Sequence, residues 1–121
     1  MREHIRYIDH QDEKILFVDF SHCPASEVEK IARAVPDVAS RAAPNSVLVL
    51  SDFMGATLDN DAMRALKETA VFDKPFVRKS ALIGTQTFPV KFFEELTTYS
   101  RRSLRIFESR EEALAWLLKD S

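Results

Sequence analysis

The stretch "VLVLSDFMGATLDNDAM", residues Val47 to Met63, opens on four consecutive branched aliphatic residues and closes on the start of a helical repeat. Such a run leaves no side of a strand for water, so that strand belongs inside a sheet covered on both faces. Asp59 or Asn60 can then cap a helix, and Ala62, Met63, Leu66 and Ala70 fall on one side of a helix reaching about Phe72. A buried strand feeding an amphipathic helix is the repeating unit of a parallel α/β sheet.

The same pattern extends both ways along the chain. Upstream, His4 to Ile8 and Lys14 to Phe20 are apolar-rich segments around the polar "DHQDE", which suits a hairpin. In "SEVEKIARAVPDVASRAA", Val28, Ile31, Ala32, Val35, Val38, Ala39 and Ala42 build one helical face. Ser26 and Glu29 have the spacing of a capping box, and Pro36 predicts a kink or break because it removes an internal hydrogen bond. Downstream, "SALIG" is a third central strand, and Pro89 fits the first turn of a helix carrying Phe88, Phe92, Leu96 and Tyr99. "LRIF" is the last strand. In the final helix Ser109 and Glu112 form a second capping box, with Ala113, Trp116 and Leu117 as the buried stripe. The predicted order is β-β-α-β-α-β-α-β-α: one mixed, mostly parallel layer of four to five strands covered by helices.

The chain of 121 residues reads as a single domain, 1–121, with no internal repeat or linker. A length of this order buries roughly two-thirds of the surface its unfolded form exposes, enough to fold without metal or disulfide. Charged residues make up 30% of the chain with a net charge of −2, which supplies no drive toward nucleic acid. The one cysteine, Cys23, cannot form an internal disulfide and fits a reducing compartment. With no transmembrane segment or signal peptide in view, the expected location is cytoplasmic.

The order of elements, "VLVLSDFMG", "VRKSALIG" and the ending "IFESREEALAWL" together resemble the SpoIIAA-like, or STAS/SEC14, group of small bacterial domains. The resemblance covers nearly the whole chain and rests on packing and capping signals. It implies a distant similarity to anti-sigma-factor antagonists, and domains of this kind often pair, so a homodimer is a further expectation. In those antagonists the helix after the equivalent strand opens with an aspartate, a phosphorylated serine, a second serine and a glycine. The matching residues here are Asp59, Asn60, Asp61 and Ala62, so the phosphoacceptor is missing. Asp61 supplies a fixed negative charge beside the positive end of the helix dipole, and Thr57 is the fallback acceptor.

Gly55 and Gly84, the only glycines, both follow predicted parallel strands, where they allow either a tight turn or close approach of backbone to a ligand. Asp52 and Thr85 lie beside them, and the aromatic helix adds Phe88 and Phe92. Asp19, Asp52 and Thr85 superficially resemble a phosphorylatable receiver site, but "VDF" supplies one acid where magnesium needs a pair, and "IFES" supplies no lysine. His4, His10, His22 and Cys23 lack metal-ligand spacing. Cys23, before Pro24 near a helix start, is a candidate for an activated thiol. Val90 and Phe93 widen the apolar arc of the aromatic helix, and Lys74, Arg78, Lys79, Arg101, Arg102 and Arg105 offer a basic rim for an acidic partner or an anionic head group.

No catalytic constellation, cofactor signature or metal site emerges. The expected function is a non-enzymatic regulatory or protein-interaction domain that binds through Asp52, Gly55, Asn60, Asp61, Gly84, Thr85, Phe88 and Phe92. The alternative is a carrier or sensor of an apolar small molecule or lipid, suggested by the aromatic helix and by the lipid-binding half of the family name.

Overall fold

Consecutive strands are neighbours throughout the sheet: β1 (Ile5–His10), β2 (Glu13–Asp19), β3 (Val47–Asp52), β4 (Val77–Ile83) and β5 (Leu104–Ile106). The computed structural model describes residues 3–100 and 104–119, with the side chains of Tyr99 and Ser100 outside that description. β1 runs antiparallel to β2, and every later pairing is parallel. Helices α1 (Ala25–Ala39), α2 (Asn60–Phe72) and α3 (Val90–Ser100) connect successive parallel strands, and α4 (Arg110–Leu118) follows β5.

Crossovers of one hand that always step in the same direction place their helices on one face of the sheet. Leu16 and Val18 of β2, Val47 and Val49 of β3 and Leu82 of β4 accordingly pack with Val28, Ile31, Leu66, Phe92 and Leu96 of the first three helices. The alternate residues, Ile15, Phe17, Leu48, Leu50, Ala81 and Ile83, face Ala113, Leu114 and Leu117 of α4. The central strands are therefore buried on both sides, which is why they read as unbroken apolar runs. The result is an α/β/α sandwich of five strands and four helices, in the predicted order.

The hairpin is tighter than the polar stretch suggests. Its strands continue to His10 and from Glu13, and only Gln11 and Asp12 turn, with φ of 49° and 66°. Two successive positive φ angles are the mark of a type I′ turn, usually built from Asn-Gly.

Three helix details differ from the sequence-based expectations. The capping box at Ser26 and Glu29 does not form: Pro24 is the N-cap, in extended backbone without a side-chain cap, and its carbonyl accepts from Glu27 and Val28. Starting the helix at Ala25 puts Ser26 inside its first turn. Of the kink or break expected at Pro36, the break does not occur: α1 continues to Ala39. In α4 the fully buried stripe is Ala113, Leu114 and Leu117, while Trp116 is half-buried. Of the two residues expected to cap α2, Asp59 does so through Ala62 N at 2.8 Å, and Ser109 caps α4 through Glu112 N at 3.2 Å as expected. Among the described residues no helix is long and apolar enough to cross a membrane.

Candidate binding rim at the strand ends

The carboxyl ends of β2, β3 and β4 release three loops that are stitched to one another by backbone hydrogen bonds. Phe20 N donates to Asp52 O and His22 N to Met54 O, each at 2.8 Å. Phe53 N donates to Ile83 O at 2.9 Å, and Thr57 N to Cys23 O at 3.0 Å. Phe20 and Phe53 extend the parallel ladder one step beyond β2 and β3, and the bonds from His22 and Thr57 hold the loops together beyond that.

Under the loops runs a chain of aromatic rings. Phe20 stacks on Phe53 with centroids 4.4 Å apart, Phe53 meets Phe88 edge-on at 4.8 Å, and Phe88 meets Phe92 at 5.2 Å. Phe20 and Phe53 are buried because alternation turns them under the rim. Such ring pairs contribute about 0.5–1.5 kcal/mol each beyond their burial, which braces the rim from below.

Both glycines have φ of +69°, and both admit a neighbouring loop. A Cβ on Gly55 would lie 2.4 Å from His22 Nδ1, and one on Gly84 would lie 2.4 Å from Met54 N. The close approaches that glycine allows here are made by the protein itself. Among the sequence-selected residues, Asn60 and Asp61 are exposed in the first turn of α2, and Asp52 and Thr85 are half-buried. Phe88 is half-buried in the ring chain, and Phe92 lies in the core at 3% exposure. Five of the eight residues thus divide into an acidic and amide edge of Asp52, Asn60 and Asp61 and an inward aromatic brace of Phe88 and Phe92, with the two glycines at loop contacts and Thr85 half-buried beside Gly84.

Asp19 and Asp52 are register partners on adjacent strands. Each nevertheless closes its own turn: Asp19 Oδ1 accepts from Ser21 N and Oγ, and Asp52 Oδ1 accepts from Met54 N at 2.9 Å. Cys23 is buried at 3% exposure, with its Sγ 3.6 Å from Ser21 O, so it does not present an open thiol. His4 Nδ1 lies 2.9 Å from Asp19 O, and its Nε2 lies 3.6 Å from Glu27 Oε1. Among the described residues no three His, Cys, Asp or Glu side chains group to hold a metal ion.

The basic rim is smaller than the sequence suggests. Lys79 is 5% exposed and turned toward α4, where Nζ donates to the carbonyls of Trp116 and Lys119. Lys74, Arg78 and Arg105 are exposed, and Arg101 and Arg102 lie outside the described residues. On the aromatic helix Val90 is 76% exposed, while Phe93 packs partly against the core. The side chain of Tyr99 lies outside the described residues.

Sequence reasoning missed a polar group inside the larger core. Ser51, Thr69, Asp73 and Ser80 are all buried and line a hollow of about 50 Å³ between α2 and the sheet. Isolated serines in apolar strands give no periodic signal, and Thr69 lies on the buried face of α2, three after Leu66, but as a polar residue adds nothing to the apolar pattern.

This layering, with its continuous strand order, defines an α/β domain of the SpoIIAA-like fold. A solved structure of an uncharacterized protein from the DUF3478 family, with a SpoIIAA-like fold, from Shewanella loihica PV-4, is similar at a TM-score of 0.71. The match covers 93% of this chain and 91% of that one at 16% sequence identity, so the likeness carries the fold alone. No family model and no curated protein sequence matches the chain.

Proposed function

We propose that this domain is a non-enzymatic docking module that meets a protein partner through the segment from Asp52 to Asp61 and the first turn of α2. The observation that carries this reading is the contrast between the two sides of that segment. Its underside is fixed by the Phe20, Phe53 and Phe88 rings and by bonds to both neighbouring loops. Its outer side exposes Met54, Thr57, Asn60 and Asp61. A surface held in one conformation before binding loses little entropy on association, which favours recognition.

The strand order never reverses, so the parallel strands lack the switch-point crevice where open sheets usually hold cofactors. An exposed loop and helix start suit a macromolecular partner better than a small substrate. Asn60 occupies the first helical position, beside the Asp59 cap, where the resembling antagonists carry a phosphorylated serine. Asn60 and Asp61 accept no phosphate from a hydroxyl kinase, and Asp61 keeps the helix start permanently negative. The docking face is thus a constitutively set form of a switchable one. We place the module in the cytoplasm, in keeping with a single cysteine that cannot form an internal disulfide.

Affinity capture with the full chain tests the reading. Capture by the wild type and by the Asn60→Lys/Asp61→Lys variant is expected to differ by loss of a partner. Identical partner sets would overturn the proposed face.

A further inference from the structure

We propose that the hollow beneath α2 is a binding site for a small uncharged alcohol, distinct from the rim. Ser80 is 3% exposed and Ser51 8%, and they stand on adjacent strands facing the same helices, since Ser80 pairs with Val49 and Ser51 with Leu82. Among the described residues neither serine hydroxyl has a hydrogen-bond partner, and both line the hollow. A buried hydroxyl without a partner is costly, so two of them at one site call for an occupant that bonds to both.

The chemistry of the walls selects that occupant. Thr69, also in the wall, already donates its hydrogen to Ala32 O at 2.6 Å, and Asp73, 2% exposed, contributes a carboxyl. The two serine hydroxyls can each donate and accept, which suits a ligand hydroxyl. A carboxylate ligand would have to bury its charge in a wall whose described residues include no cation, which disfavours anions. The remaining wall is apolar, formed by Val35, Leu66, Ala70, Leu82, Leu96 and Leu104.

Water fits such a place poorly as the sole filling, because each molecule needs two to four polar partners and only four of the fourteen lining residues are polar. About 50 Å³ accommodates roughly three or four water-sized positions at about 10–15 Å³ each. That is far below the ~300 Å³ at which sites for drug-sized ligands begin, so a long acyl chain does not fit this hollow. A short aliphatic alcohol matches both the size and the mixed polar and apolar lining.

Amide NMR titration of the full chain with 1-propanol, and separately with propionate, tests the proposal. Saturable shifts centred on Ser51, Thr69, Asp73 and Ser80 are expected with propanol and absent with propionate. Ser51→Ala/Ser80→Ala should weaken the propanol response by at least roughly threefold, the value of a single modest hydrogen bond. Ala70→Val, which narrows the hollow from the α2 side, should abolish it. If the serine variant fails to fold, the comparison of wild type, propionate and Ala70→Val decides the matter. A non-saturating response, a response centred elsewhere, equal binding of propionate, or undiminished binding in a folded variant would overturn the proposal. So would hollow density explained by ordered water alone in propanol-soaked crystals.

Discussion

The Thr69 hydroxyl on α2 donates to the Ala32 carbonyl on α1 over 2.6 Å, and Ala32 is the residue whose carbonyl Pro36 cannot serve. A proline four residues on has no N–H to donate, so that acceptor would otherwise stand buried and unpaired. The neighbouring helix supplies the missing hydrogen, and α1 runs through Pro36 to Ala39. The exposed Arg33 to Glu68 pair at 2.9 Å links the same helices but, being on the surface, contributes little.

This arrangement predicts coupling between the two sites. Thr69→Val removes the donor and should cost about 1–3 kcal/mol in urea denaturation. In a Pro36→Ala background, where the helix can make its own bond, the same change should cost less by about 1 kcal/mol or more. Strict additivity in the double-mutant cycle would refute the substitution of one donor for the other.

The glycines should respond unequally to alanine. At Gly84 the new methyl would collide with Met54 N, a backbone atom fixed by its bond to Asp52, whereas at Gly55 it meets the side chain of exposed His22. Both positions carry the left-handed penalty of about 1–2 kcal/mol. Gly84→Ala should therefore lower Tm distinctly more than Gly55→Ala, and His22→Ala should recover part of the Gly55→Ala loss only. Equal losses, or a greater one at Gly55, would contradict the contact assignment.

Lys79 should act as a fastener for the last helix. Its ammonium bonds the Trp116 carbonyl at 2.9 Å and lies 5.1 Å from the indole centroid. Lys79→Met keeps the stem but loses these bonds, an expected cost of about 1.5–3 kcal/mol for charge-assisted pairs. Hydrogen exchange should quicken across Arg110–Leu118 before the core strands. Unchanged exchange in that helix would show that packing alone holds it.

The apolar runs of β2, β3 and β4 carried the architecture legibly, because burial on both faces leaves a continuous signature in the residues themselves. Asp59 and Ser109 were legible as caps for the same local reason. The errors arose where tertiary contacts overrode local pattern. Pro36 is tolerated through Thr69, 33 positions along the chain, a compensation that no local reading of α1 contains. Lys79 looked like part of a basic edge because strand alternation alone does not show that two carbonyls wait beside it. At the rim, Asn60 and Asp61 were legible as an outward helix start, whereas Phe88 and Phe92 were selected as contact residues and sit instead in or against the core. The serine-lined hollow left no mark in the pattern, since its polar residues come from β3, α2, the end of α2 and β4.

The docking proposal is tested most directly by hydrogen exchange on the full chain, alone and with a partner captured by the wild type. Added protection is predicted from Met54 through the first turn of α2, with the α4 face unchanged. Protection confined to α4 or to the β1 edge, with the Asp52 to Asp61 segment exchanging as freely as before, would contradict the account.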